Sequence, residues 1–163
     1  MLMMRRVCDF VVLAVVLAVS STEAKIIEFD SCSGSFISPI IGKVLQIDIT
    51  PCDSEPCVFQ VGANVTAKIT FIPEETVQDG LIELVAIFSR GERLPWPLKN
   101  PFACEDHNLN CPLKPKEPAT AIIKTRVIED IPGSYKLVAQ VYMAETVLEN
   151  YVFCFRIPIQ VTY

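Results

Sequence analysis

From Asn64 to Phe71 apolar and polar residues alternate. Val65, Ala67, Ile69 and Phe71 fall on one side, with Asn64, Thr66, Lys68 and Thr70 on the other. Successive side chains of a β-strand point to opposite faces, so the pattern predicts a strand with one buried face. The same period sets Leu45, Ile47 and Ile49 against Gln46, Asp48 and Thr50. It returns in Tyr135, Leu137, Ala139, Val141 and Met143, and again in Phe153, Phe155, Ile157, Ile159 and Val161. Leu81 to Ser89 is apolar on both faces, which predicts a central or doubly covered strand. Ala119 to Ile128 alternates more weakly, with Ile123, Thr125 and Val127 inward. With Ile26 to Phe29 this makes about seven strands, parted by Pro, Gly, Asn and Asp and with no amphipathic helix between them. Such a chain folds as an all-β sandwich or barrel. Asp53-Ser54-Glu55-Pro56 reads as a tight connection, and Arg93 to Pro118 as a long irregular segment rich in proline.

The segment ahead of the strands has a different pattern. Arg5 and Arg6 precede an apolar run from Phe10 to Val19, and Ser20, Ser21, Thr22 and Ala24 follow it. Charge, apolar run and small residues in that order make a secretory signal, residues 1–24, cleaved after Ala24. The run is short of the roughly 20 apolar residues that a bilayer span needs. What remains, residues 25–163, is the size of one domain with a full core. The expected destination is the extracellular space or a lysosomal lumen.

Cysteine content agrees with that compartment. Of seven cysteines, Cys8 leaves with the signal, and Cys32, Cys52, Cys57, Cys104, Cys111 and Cys154 stay. An even set in a secreted chain is a disulfide framework. Cys52 and Cys57 flank one short turn and Cys104 and Cys111 another, which leaves Cys32 and Cys154 to join the ends; proximity favours this pairing without fixing it. A structural zinc site is disfavoured, because the chain has one His and neither close pair has finger spacing. No metal and no cofactor are expected.

Charge then narrows the partners. Arg5, Arg6, Asp9 and Glu23 cancel, so the mature domain keeps the net charge of −5. An acidic domain repels nucleic acid, which is not an expected partner. Asn64-Val65-Thr66 is a glycosylation sequon on the polar face of its strand, which makes Asn64 a candidate glycan site. His107, the single histidine, reads as a surface-loop residue. No nucleophile elbow or zinc-protease motif accompanies it, and Glu74, Glu75 and Asp79 read as a solvated turn, so no enzyme activity is expected. The anomaly is Leu94-Pro95-Trp96-Pro97-Leu98, which holds the only Trp between two prolines. Prolines exclude it from a central strand, and it reads as a loop at the mouth of an apolar cavity, with Trp96 as a gate.

Taken in order, Cys32, Ile49-Thr50-Pro51-Cys52, Glu55-Pro56-Cys57, Ile69-Thr70-Phe71, Leu94-Pro95-Trp96-Pro97, Ala103-Cys104, Asn110-Cys111-Pro112-Leu113 and Cys154-Phe155-Arg156-Ile157-Pro158-Ile159 carry a resemblance. The chain resembles the Niemann-Pick type C2 proteins of the MD-2-related lipid-recognition (ML) family, from about Ile27 to Val161. The Ser54-Glu55-Pro56-Cys57 turn is similar to that of the mite group 2 allergens, an arthropod branch of the same fold. The resemblance implies an immunoglobulin-like β-sandwich of two sheets with an apolar cavity between them. It also implies the pairing Cys32–Cys154, Cys52–Cys57 and Cys104–Cys111. It places Leu94, Pro95, Trp96, Pro97, Val127 and Ile131 at the cavity mouth, and Tyr135, Leu137, Val141 and Phe155 further inside. Ile131, Val141 and Phe155 stand where the family commonly has bulkier aromatic residues, so the cavity's shape differs.

The function implied is a monomeric carrier of a sterol, fatty acid or similar apolar ligand, which passes it to a membrane or membrane-protein acceptor. Two other readings compete: lipid A recognition of the MD-2 kind, which needs cations such as Arg93 and Lys99 at the rim, and an Ig-like interaction module with a filled core.

Overall fold

The computed structural model describes residues 24–32, 39–129, 131, 135–146, 148 and 150–163. The predicted signal segment therefore lies outside the described residues, apart from Ala24. Among the described residues no helix is long and apolar enough to cross a membrane. Ten strands and one short helix follow in order: β1 (Lys25–Ile26), β2 (Asp30–Ser31), β3 (Gly42–Thr50), β4 (Cys57–Gln60), β5 (Asn64–Pro73), β6 (Leu81–Ile87), β7 (Arg93–Trp96), α1 (Ala103–Asp106), β8 (Ala119–Arg126), β9 (Tyr135–Ala144) and β10 (Tyr151–Thr162).

They form two sheets. One has four strands in the order β1-β3-β5-β8; the other has six, β2-β10-β9-β6-β7, with β4 also on β10. All pairings between these strands are antiparallel except β4 with β10. The inward faces are those the alternation predicts. Ile47, Ile69, Phe71, Ile123, Met143, Phe153, Phe155, Ile159 and Val161 are each at most 2 % exposed. Phe71 of one sheet meets Phe153 of the other edge to face, ring centroids 5.0 Å apart.

Three expectations about the strands change, and β4 is additional to the strands predicted. Leu45 is exposed, because the β3–β5 register slips between Val44 and Gln46 and leaves it as a bulge residue. The strand expected over Ile26 to Phe29 is divided, β1 pairing with β3 and β2 with β10. β4 has only four residues, and its partner β10 lies some hundred residues away in the chain. The proline segment is not wholly a loop, since Arg93–Trp96 forms an edge strand on β6. An edge position tolerates proline, because one side of the strand needs no donor.

All three expected disulfides are present: Cys32–Cys154, Cys52–Cys57 and Cys104–Cys111. Cys52–Cys57 closes the turn by which the chain leaves β3 in one sheet and enters β4 in the other. Cys104–Cys111 brackets the loop that holds His107.

Candidate functional site

β7 ends one sheet and β8 ends the other, so their outer edges bound the same side of the sandwich. In β7 the alternation turns Leu94 and Trp96 inward, and Arg93 and Pro95 outward. Trp96 is 5 % exposed. Its Nε1–H crosses to the other sheet and donates to Thr125 Oγ1 at 3.1 Å and to the Arg126 carbonyl at 2.9 Å. A buried indole needs such a partner, since an unmade hydrogen bond there costs about 1–3 kcal/mol. Thr125 is well placed to provide it, as the weak β8 alternation put its hydroxyl on the inward side.

The rest of this side is covered by the segment between β7 and β8. His107 is buried rather than on the surface. Its Nδ1 lies 3.1 Å from the Ile122 carbonyl and its Nε2 2.8 Å from that of Asn100. The Ile122 amide donates in turn to the His107 carbonyl at 2.9 Å, so the disulfide-bracketed loop is fastened along β8. Among the described residues no group of His, Cys, Asp or Glu is placed to hold a metal ion.

The expected pocket residues divide into an inner and an outer set. Trp96, Val127, Ile131, Leu137, Val141 and Phe155 are all 6 % exposed or less and lie on the inward side. Leu94 is half-buried at the edge. Pro95 and Pro97 are exposed, Pro95 because it shares the outward face with Arg93, and Pro97 because it has left the strand. Tyr135 does not lie further inside. It is 41 % exposed at the first position of β9, with its ring edge-on to Phe88 at 5.8 Å. Pro132, Gly133 and Ser134, which precede it, are outside the described residues.

The interior these residues bound is apolar. The buried polar side chains among the described residues are His107, Gln140 and Glu145. Gln140 is on the outward face of β9, where its Oε1 accepts from Arg156 Nε at 2.9 Å. Glu145 follows the last residue of β9, far along the strand from Leu137 and Tyr135. Ala67, on central strand β5, faces inward between Ile49 and Ile123 and is only partly buried. Ala86, Ala121 and Ala139 are further small side chains buried on the inward faces.

Outside the Trp96 contact lies a hollow of about 570 Å³, lined by Pro97, Lys99, Thr125, Arg126, Val127 and neighbouring residues. Asn64, exposed at the start of β5, is on its border. A second hollow of about 490 Å³ is lined by Phe88, Arg93, Leu94 and Tyr135.

Two facing sheets with an apolar core between them and three disulfides define an immunoglobulin-like sandwich. A family model for the ML domain matches residues 27–161. The chain belongs to the ML domain family. It is 28 % identical over 144 residues to NPC intracellular cholesterol transporter 2 of Mus musculus, covering 88 % of this chain and 91 % of that protein. Its identity to the Danio rerio protein of the same name is 26 % over 155 residues, covering 94 % and 98 %. Among solved structures, a Niemann-Pick type C2 protein from the Japanese carpenter ant shares the fold. Its TM-score is 0.71 at 22 % identity, covering 83 % of this chain and 99 % of that one.

Proposed function

We propose that the chain is a secreted or lumenal carrier that holds a sterol, fatty acid or similar apolar ligand between its two sheets. It then delivers the ligand to a membrane or a membrane-protein acceptor. The observation that carries this reading is the inner set: Trp96, Val127, Ile131, Leu137, Val141 and Phe155 converge from both sheets and their connections, with no charged side chain among them. The similarity to vertebrate proteins named cholesterol transporters supports the ligand class.

Binding follows from removing hydrocarbon from water. At about 0.8 kcal/mol per CH₂, an alkyl chain of about 16 carbons gives roughly 13 kcal/mol gross. Association costs of about 4–15 kcal/mol reduce this, so affinity rests on how closely ligand and cavity match in shape. Such a site discriminates weakly between ligands of similar bulk, and the reading assigns no catalytic chemistry to any residue. Arg93 and Lys99 border different hollows, which does not favour the joint phosphate clamp that lipid A recognition requires. The exposed Asn64 sequon fits a glycan carried on the outer face of β5.

Trp96 supplies the test, being the only tryptophan. Titrating cholesterol, oleate or palmitate into delipidated protein is expected to shift and quench its emission. Mass spectrometry of natively purified protein is expected to find bound lipid. Constant emission with all three, together with an extract free of lipid, overturns the reading in favour of a filled interaction module.

A further inference from the structure

We infer that the Asn64 sequon carries an N-linked glycan whose two innermost N-acetylglucosamines lie in the hollow outside β8 and cap that strand's open edge at Lys124. This rests on the secreted or lumenal part of the carrier reading and adds to it a seat for the sugar. It starts from the free edge of β8, a strand that pairs only with β5. In an antiparallel ladder every second residue turns its backbone N–H and C=O away from its neighbour. In β8 these residues are Thr120, Ile122, Lys124 and Arg126, as the contacts along the edge establish. Asn108 Nδ2 donates to the Thr120 carbonyl at 3.2 Å, and Trp96 Nε1 to that of Arg126 at 2.9 Å. His107 meets both the amide and the carbonyl of Ile122. Among the described residues no hydrogen bond reaches the Lys124 amide or carbonyl from this side.

The gap in that edge coincides with the hollow of about 570 Å³, to which Lys124 contributes and on whose border Asn64 is exposed. Asn64 stands opposite Arg126 in the β5–β8 register. Neighbouring strands are about 4.8 Å apart, so a sugar on Asn64 begins one strand spacing from the open edge. Its chemistry fits what the hollow offers. The acetamido group of N-acetylglucosamine has one N–H and one C=O, the complement of the Lys124 carbonyl and amide. Its C–H surface suits Pro97 and Ile128, and its hydroxyls suit the ammonium groups of Lys99 and Lys124 and the Glu129 carboxylate. A second copy of the chain paired on this edge would instead bring its own Lys124 and Arg126 against these, like charge against like. Unpaired edges invite such association, and the tethered sugar closes this one without a partner chain.

Lysine acetylation reads the seat directly. The full chain would be secreted from insect cells, treated with sulfo-N-hydroxysuccinimide acetate, and followed by peptide mass spectrometry. Asn64→Gln gives a sugar-free comparison, and wild type treated with peptide N-glycosidase after folding gives a second that does not depend on how the variant folds. The glycan is expected to slow acetylation of Lys99 and Lys124 by about fivefold or more, the factor expected from one net hydrogen bond. Lys68 is the control, being exposed on the same outer face but not part of the hollow, and its rate is expected to be the same with and without sugar.

A secreted protein whose intact mass shows no glycan at Asn64 overturns the inference. So does a glycan that leaves Lys99 and Lys124 as reactive as in the sugar-free samples. Equal protection of Lys68 also overturns it, since that marks a sugar swinging freely over the face. Slow reaction of Lys99 and Lys124 with and without sugar overturns it too, because another chain then covers the edge. Each of these leaves the lipid titration untouched, and a failed titration with a seated glycan removes the carrier reading alone.

Discussion

Along one side of the sandwich the chain itself passes between the sheets. β1 leads into β2 through residues 27–29, and β3 leads into β4 through the turn that Cys52–Cys57 closes. Cys32–Cys154 then bonds the end of this segment to β10, beside a backbone hydrogen bond from Cys32 N to the Cys154 carbonyl. Along the other side the two edge strands meet through Trp96, and the Cys104–Cys111 loop is fastened to β8 by His107. The chain crosses on this side as well, from β7 to β8 through residues 97–118, so the difference lies in the contact of the two edge strands themselves, which is hydrogen-bonded. On the carrier reading proposed above, a sandwich that keeps its fold while a ligand passes opens where the ties reform quickly.

Breaking the covalent side should cost the most. Replacing Cys32 and Cys154 together by Ser releases a closure 122 residues long, worth about 5 kcal/mol by chain entropy. A corresponding fall in the urea midpoint checks it. The two short disulfides sharpen the contrast, because their loops span 5 and 7 residues and each contributes only about 2 kcal/mol. Cys52→Ser with Cys57→Ser is expected to lower stability without changing lipid exchange. Cys104→Ser with Cys111→Ser is expected to lower it by a similar amount and to speed exchange, as the His107 loop loosens over β8. Equal exchange rates in the two pairs would remove the distinction between the sides.

The smallest effect is expected at neither side but at the end of β9. Glu145 is 8 % exposed, and its Oε2 has no hydrogen-bond partner. Burial, then the charges of Glu75 and Asp79, push its carboxyl above the usual glutamate range. The folded state thus favours the protonated form. Its stabilising contribution is complete below the unfolded glutamate pKa and is lost as pH rises through the higher folded value. Thermal melts from pH 4 to pH 7 are expected to show a decline in Tm over that window. Glu145→Gln should flatten this component, and an unchanged slope in the variant would show that other groups set it.

The sequence pattern reveals the inward faces of β5, β9 and β10 because alternation is a local property. It misses what depends on a distant partner. Leu45 fits the alternation and yet is exposed, since a bulge depends on how β3 pairs with β5. β4 is too short to stand out, and its partner β10 is remote in the chain. Pro95 and Pro97 suggest a loop, although an edge strand accommodates Pro95 equally well. Of the site, parity identifies Leu137, Val141 and Phe155 as inward, but the same parity places Tyr135 with them, and at the first position of β9 it is exposed. The Trp96–Thr125 hydrogen bond joins residues 29 apart in different sheets and leaves no sequence signal beyond a lone Trp and an inward Thr. His107 is hidden for the same reason, since its partners are backbone carbonyls.

Cys32–Cys154 also changes what it means to cut this molecule. The two cysteines lie near opposite ends of the domain, so the backbone between them and the bond itself form a closed ring with short tails. One peptide bond hydrolysed anywhere within that ring opens it to a line whose pieces stay attached. Under non-reducing conditions a nicked molecule would therefore run as a single species and separate into fragments only with a thiol. In a protease-rich fluid or lumen, such a domain survives its first cut in one piece.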